Sequence, residues 1–327
     1  MKLQILIPQY RENDDVVKPL LDSIAIQQNV DFNEVGVIIV NDGSDVHLSD
    51  ELIRRYPFEI QYVLAKHGGV SATRNEALDR STAEYVMFCD ADDMFENVCA
   101  LWVIFREMEG GGFDSLVSSF IEETRIDGKP SYITREMDST FVHGKVHRRQ
   151  YLIDQHIRWN PELTIHEDSF FNIQCLNLTP KVKYCKQPFY LWRWRDDSVC
   201  RRDPKYILKT YNNMIDSNNA LVAEFEKRRQ IEKARFYVCF MIFDAYYLMN
   251  KPEWVNQENR EYRDATERRF ADYYRKHKRL WDEETDQVKM QISQGVRGRS
   301  VNEGMMMESQ TINRWLAHVE QLGGLNA

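Results

Sequence analysis

The chain has 327 residues, with 43 Lys and Arg against 51 Asp and Glu, for a net charge of −8. That length allows one large domain or two smaller ones around a sizeable core. The acidic balance argues against broad binding to nucleic acid or anionic membrane, and no apolar run approaches the roughly 20 residues that span a bilayer.

The first part alternates strand and helix signals. Residues 3–8 predict a strand. Between 14 and 28, Val16, Val17, Leu20, Leu21, Ile24 and Ile26 fall near helical spacing. Residues 35–40 are a continuous apolar run rich in β-branched residues, the pattern of a strand buried on both faces. A helix over 48–56, a strand over 60–64, a helix over 70–80, a strand over 85–89 and a helix over 98–108 follow. This β-α-β-α order implies a mainly parallel sheet flanked by helices, and ligands bind beyond the carboxyl ends of such strands. Gly110, Gly111 and Gly112 interrupt the alternation, and 115–124 predicts a further strand before a turn at 127–130. Residues 140–200 mix short aromatic strands with loops. From Asp203 the pattern becomes helical, with Ile207, Leu208, Tyr211, Met214, Ile215, Leu221, Val222 and Phe225 on one stripe. Residues 236–248 are apolar nearly all round and predict a central helix. A charged helix covers 258–286, a flexible polar joint 295–304 and a last helix 310–322.

The start of the chain lacks the basic stretch and cleavage site of a signal peptide. Cys89, Cys99, Cys175, Cys185, Cys200 and Cys239 form no Cys-x-x-Cys pair and no zinc spacing, so they read as free thiols of a cytoplasmic protein. His143 and His147 are four apart but lack the Glu of a zinc-protease helix.

The chemistry gathers at four consecutive strand ends. The first runs into Pro8, Tyr10, Arg11 and Glu12, and the second into Asn41, Asp42, Gly43 and Ser44. After the third come Lys66, His67, Gly68, Gly69, Ser71, Arg74 and Asn75. The fourth, 85–89, halts at Asp90, Ala91, Asp92 and Asp93. Acids spaced Asp-x-Asp at a strand end can hold a divalent cation, and the cation a diphosphate. Taken alone, the acids fit a polar turn or a helix cap, Asp42-Gly43 fits a turn, and Arg74 fits a surface charge. Together they supply what a nucleotide diphosphate needs: a π-face, a hydrogen-bonding acid, close backbone approach and a cation.

This set resembles the family 2 glycosyltransferases of the GT-A, Rossmann-like fold. Pro8 to Glu12 matches their Pro-x-Tyr-Asn-Glu opening, with Arg11 in place of Asn. Asn41 to Ser44 matches Asp-Asp-Gly-Ser, and 67–75 matches Asn-x-Gly-x-Ser-x-Ala-Arg-Asn except at His67 and Thr73. Gly144, Lys145 and Arg149 resemble the family's Gly-Lys-x-x-x-Arg segment, Glu167, Asp168 and Phe171 its Glu-Asp-x-x-Phe motif, and 191–198 the segment that closes over the diphosphate.

The resemblance implies a sugar transfer from a nucleotide diphosphate donor, a UDP-hexose first among them, to an acceptor hydroxyl, with inversion. It makes Asp168 the general base, and Asp92 with Asp90 the ligands of Mn2+ or Mg2+. Pro8, Tyr10, Glu12, Asp42, Lys66, Gly69, Arg74, Ala91, Arg193 and Arg195 fall to the donor, with Asp42 reading uracil. Lys145, Glu167, Trp192 and Trp194 fall to the acceptor side. Arg195 stands where family members often carry His, which favours a direct arginine–phosphate contact over a metal ligand. Asp93 is left to cap the following helix. The resemblance covers 1–202, a catalytic domain with a donor half over 1–110 and an acceptor half over 111–202. The helical region over 203–327 is left for acceptor selection or self-association. The acceptor is a glycan, a lipid-linked sugar, a protein or a modified nucleic-acid base; a lipid acceptor requires docking at a membrane surface. The rivals are a nucleotidyltransferase, disfavoured by the absence of a Gly-rich basic loop after the first strand, and a non-catalytic sugar- or nucleotide-binding module.

Overall fold

A computed structural model describes residues 1–110, 112–196, 198, 206–251, 254, 256, 259–299 and 309–323. The chain divides into two compact units, Met1–Ser198 and Val199–Ala327.

The first unit opens with β1 (Leu3–Gln9), α1 (Asp14–Ala25), β2 (Val35–Asn41), α2 (Asp50–Arg54), β3 (Glu59–Leu64), α3 (Val70–Arg80) and β4 (Tyr85–Phe88). It continues through β5 (Met94–Phe95), α4 (Ala100–Glu109), β6 (Ser115–Ile126), β7 (Lys129–Arg135), β8 (Lys145–Arg148), α5 (Arg149–Asp154), α6 (Glu167–Asn177) and β9 (Val182–Trp192). Side chains alternate across the sheet, as the strand period requires. Leu3, Ile5 and Ile7 pack with Val17, Leu20, Leu21 and Ile24 of α1 and with α4. Leu6, Ile38 and Val40 pack with Ala77 and Leu78 of α3 and Phe171 and Cys175 of α6. Helices therefore cover both faces. Asn13 starts α1 by accepting a hydrogen bond from the Val16 N–H, which satisfies one of the helix's orphan donors.

The strand order is β3-β2-β1-β4-β8-β6-β9-β5, with β7 paired to β6 alone. The pairs β3-β2, β2-β1 and β1-β4 are parallel, as expected. Beyond β4 the sheet is mixed: β8 runs antiparallel to both β4 and β6, and β9 lies parallel to β6. The predicted turn at 127–130 narrows to Asp127-Gly128, both at positive φ, and Lys129 already begins β7. Residues 167–177, expected among strands and loops, form α6, whose apolar residues Phe170, Phe171 and Cys175 turn into the core.

In the second unit, α7 (Tyr206–Lys227), α9 (Arg260–Asp282) and α10 (Asp286–Arg299) all contact α8 (Ile231–Met249), the central helix the sequence predicts; α11 (Ser309–Gly323) packs on α9. Tyr211, Ile215, Leu221, Val222 and Phe225 of the predicted stripe are buried, while the side chains of Ile207 and Leu208 lie outside the described residues. The flexible joint expected from Gly295 is helical through Arg299; a Cβ at Gly295 would meet nothing, and Ile292 and Val296 hold the turn against the core. Residues 300–308 lie outside the described set. The described cysteines are free thiols, and Cys200 lies outside it. Among the described residues no helix is long and apolar enough to cross a membrane.

Candidate active site

Strand direction decides which residues can meet. Because β1, β2, β3 and β4 are parallel, their carboxyl ends share one edge. Two reversals, β4 to β8 and β8 to β6, return β6 to the direction of β4, and β9 follows β6. The end of β9, at Trp192 and Arg193, therefore emerges beside Asp90–Asp93.

A single tyrosine pins the acid loop. The hydroxyl of Tyr190 in β9 accepts from the Asp90 N–H (3.0 Å) and donates to Asp93 Oδ2 (2.6 Å). The other Asp93 oxygen accepts from the Arg193 N–H at 2.9 Å. Asp93 is thus a buried tie between the β4 and β9 ends. It does not cap α4, whose N-cap residue is Cys99. Burial, Asp92 and Asp90 push the Asp93 carboxyl well up. Asp92 faces outward; Arg195 Nη1 lies 3.3 Å from its Oδ2, and Arg193 Nη1 donates to its carbonyl oxygen at 3.2 Å. Burial and Asp90 raise the Asp92 carboxyl against the pull of Arg195.

Arg74 is enclosed between two carboxylates and a tryptophan ring. It is 4% exposed, its guanidinium lies 4.4 Å from the centre of the Trp159 ring, and its two terminal nitrogens reach Asp90 (2.8 Å) and Glu167 (3.1 Å). Burial alone would raise the Asp90 carboxyl, but Arg74 and His143 outweigh it and hold it below the ordinary range. The guanidinium therefore braces the acid loop against the start of α6. There His166 adopts φ +64°, a left-handed conformation that costs a non-glycine residue on the order of 1–3 kcal/mol. Asp168 follows, half-buried, its Oδ1 accepting from the Ser169 N–H at 2.8 Å. Burial first and Glu167 second push its carboxyl up to about 7, with Arg74 and Lys145 pulling the other way.

At the far end of the edge, Asp42 accepts from the Gly68 and Gly69 N–H groups at 2.7 and 3.0 Å. Gly43 has φ +70°, and a Cβ there would lie 2.5 Å from the His67 nitrogen, so only glycine lets the two loops touch. Tyr10 stacks on His67 with centroids 5.0 Å apart, and Arg11 lies 5.2 Å from the Tyr10 centroid. Glu12 accepts from the Tyr10 N–H, and burial raises its carboxyl. Pro8 lies in β1, Lys66 is exposed beyond β3, Gly69 is the N-cap residue of α3, and Ala91 is buried between the acids.

The residues expected on the acceptor side divide. Lys145 is 1% exposed and donates to the Phe141 carbonyl, with burial lowering its ammonium to about 8, so it braces the loop before β8. Trp192 packs against Phe141 and His143, while the Trp194 N–H donates to Glu123 and its ring N–H to Asp196. His147 is buried in β8 with Nδ1 2.9 Å from Ser115 Oγ, which removes the pairing with His143 on one helix face. His143 instead joins Asp90 and Asp93, whose ligand atoms lie within 4.8 Å of one another. Tyr190 and Asp93 are the site residues the sequence did not assign; Asp93 sat within the motif, but its partner comes from a strand 97 positions away.

A sheet whose parallel strands end in paired acids, with the half-buried Asp168 raised toward neutrality beside them, describes a ligand-binding edge of the Rossmann-like kind. Residues 4–167 match the family model described as glycosyl transferase family 2, and the chain belongs to that family. Glycosyltransferase GlyA of Streptococcus pneumoniae is 26% identical over 227 residues, 61% of this chain and 32% of that protein. The teichoic acid poly(glycerol phosphate) polymerase of Staphylococcus epidermidis is 27% identical over 208 residues, 58% and 28% respectively. The chain thus spans about a third of the length of these relatives. The crystal structure of residues 1–349 of S. aureus TarS superposes with a TM-score of 0.64 at 15% identity, covering 98% of this chain and 90% of that one, which shows a shared fold. TarS 1–349 has also been solved with UDP and with UDP-GlcNAc.

Proposed function

We propose that the chain transfers a sugar from a nucleoside diphosphate donor to an acceptor hydroxyl in one inverting displacement. The observation that carries this is Asp168: a half-buried carboxyl raised to about 7 and braced through Glu167 and Arg74 to Asp90. A carboxyl titrating near neutrality is matched to taking a proton from an attacking hydroxyl. With attack opposite the departing diphosphate, an α-linked donor gives a β-linked product.

The donor lies along the sheet edge, base toward Asp42 and His67, diphosphate toward the acids. Asp90 and Asp92 keep about a third of their side chains exposed, at 32% and 34%, and offer the hard oxygen atoms that Mg2+ or Mn2+ takes. Asp93 and His143 are enclosed, and both Asp93 oxygens already accept hydrogen bonds, so they suit bracing better than ligation. A cation held by Asp92 and Asp90 would offset charge on the leaving diphosphate. Arg195, beside Asp92, adds positive charge there. UDP is the nucleotide to try first, given the TarS complexes with UDP and UDP-GlcNAc. The teichoic acid polymerase among the relatives makes a polyol phosphate hydroxyl a first acceptor to try.

The test is turnover of a panel of nucleotide-sugars with and without Mn2+ or Mg2+. Metal-dependent release of one nucleoside diphosphate, abolished by chelation and by Asp92→Ala, is expected. Turnover of none, or full UDP affinity in Asp92→Ala, would overturn the reading.

A further inference from the structure

The ring of Trp159 lies between groups from two helices. Phe171 of α6 stacks on it with centroids 4.1 Å apart and planes 5° from parallel, and the Arg74 guanidinium of α3 lies 4.4 Å from its centre. One face cannot hold both at that spacing, so Phe171 takes one face of the indole and Arg74 the other. Phe88 of β4 meets it edge-on at 5.1 Å, and Trp159 is 1% exposed. The backbone is held as well: the Asn75 side chain donates to the Trp159 carbonyl at 2.8 Å and accepts from its N–H at 3.0 Å. Thus α3 and α6 meet each other through Arg74 and Glu167, and both grip Trp159, α3 through Arg74 and Asn75 and α6 through Phe171.

Within this cluster Arg74 Nε and Trp159 Nε1 are buried and find no hydrogen-bond partner among the described residues. The carboxylates of Asp90 and Glu167 hold only the two terminal nitrogens of the guanidinium, so the tilt of its plane is left to the ring beneath it. An orphaned indole N–H in a core is a cost that phenylalanine would avoid. An indole face, however, attracts a cation more strongly than a phenyl face does. The costly ring stands where a buried cation has to be held.

Resting on the role of Asp168 proposed above, we infer that Trp159 is a positioning residue for the transfer step: it sets the plane of the Arg74 guanidinium, and through it the placement of the acid loop and of the start of α6 that carries Asp168. Enclosed as it is, Trp159 acts through Arg74.

The experiment is a double-mutant cycle on the full chain with Mn2+. It reads release of nucleoside diphosphate from the donor of the nucleotide-sugar panel that turns over, UDP-GlcNAc tried first. Trp159→Phe and Trp159→Leu are each made alone and combined with Arg74→Met, and a thermal melt checks that each variant is folded at the assay temperature. The rate is expected to fall about threefold in Trp159→Phe and about tenfold in Trp159→Leu, in the order of their attraction for a cation. In the Arg74→Met background the same substitutions are expected to change the rate by less than about twofold, because the cation they act through is gone. The pH–rate profile gives a second reading. Burial and Glu167 raise the Asp168 carboxyl, while Arg74 of α3, the Ser169 N–H and Lys145 of β8 lower it. A loosened guanidinium should therefore move the acid limb upward in both single variants, by less than Arg74→Met moves it. Trp159→Phe keeps a ring on Phe171 and sheds the orphaned N–H, so it carries the test where Trp159→Leu does not fold. A wild-type rate and acid limb in folded Trp159→Phe, or losses that recur at full size in the Arg74→Met background, overturn the assignment to Trp159 while leaving the transferase reading intact. Absence of turnover with every donor of the panel overturns both.

Discussion

Asp168→Asn tests activity and stability at once. The Asn of the variant keeps an oxygen for the Ser169 N–H and carries no charge. In the wild type the carboxyl moves from its ordinary 3.8 to about 7, through burial first and Glu167 second. A base works ionised, so wild-type transfer should rise with pH through about 7 and level off above it. The same shift fixes the sign of a stability effect. Between the ordinary carboxylate range and about 7 the unfolded chain has released this proton and the folded chain still holds it. Folding therefore loses stability as pH rises through that window, and loses no more above it. The full gap is worth about 4 kcal/mol, and solvent contact at a half-buried group reduces it to about 2. The variant lacks this penalty. Relative to the wild type, its melting temperature should rise by a few degrees between about pH 5 and about pH 8. Transfer should fall by about 10²–10⁴-fold while UDP affinity is kept. Differential scanning calorimetry and a pH–rate profile read the two effects. Transfer near the wild-type rate, an acid limb centred near 4, or a melting gap that stays constant with pH would refute the reasoning.

Arg74→Met keeps the side-chain bulk and strips Asp90 and Glu167 of their shared cation. It should cost about 2–4 kcal/mol, below the cost of an entirely buried pair because Asp90 is a third exposed. Because Arg74 pulls Asp168 down, its loss should also move the acid limb of the pH–rate profile upward, which mere destabilisation would not do. A limb that stays in place argues against the brace. Tyr190→Phe leaves the Asp90 N–H and the Asp93 carboxyl without their common partner, and should cost about 1–3 kcal/mol and raise the donor KM more than it lowers kcat. Chemical denaturation and steady-state kinetics check it, and an unchanged donor KM would remove Tyr190 from the site.

The parallel strands were legible because burial on both faces writes itself as β-branched runs, as over Val35–Asn41. The bundle was legible from helical stripes such as Tyr211, Ile215, Val222 and Phe225. Short motifs located the strand-end residues, but spacing along a chain says nothing of depth. The burial of Arg74 against the carboxylates of Asp90 and Glu167, and of Lys145 against the Phe141 carbonyl, is set by partners distant in sequence that no motif spells out. The reversals through β8 were hidden because Lys145–Arg148 is four residues long and polar at both ends. Gly295 read as a break, since a glycine costs a helix about 1 kcal/mol, and the packing of Ile292 and Val296 overrides that preference.

The tie between Asp93 and the β9 end also sets an order of events in biosynthesis. The donor-side strands β1 to β4 pair within the first 88 residues, so their sheet can assemble while the rest is still being translated. Tyr190 and Arg193 reach the acid loop from 97 and 100 positions further on. A nascent chain thus carries a nucleotide-type edge well before its acids are locked in register. The acid loop is therefore the part of this edge that is fixed last, and it is fixed only once β9 has been made.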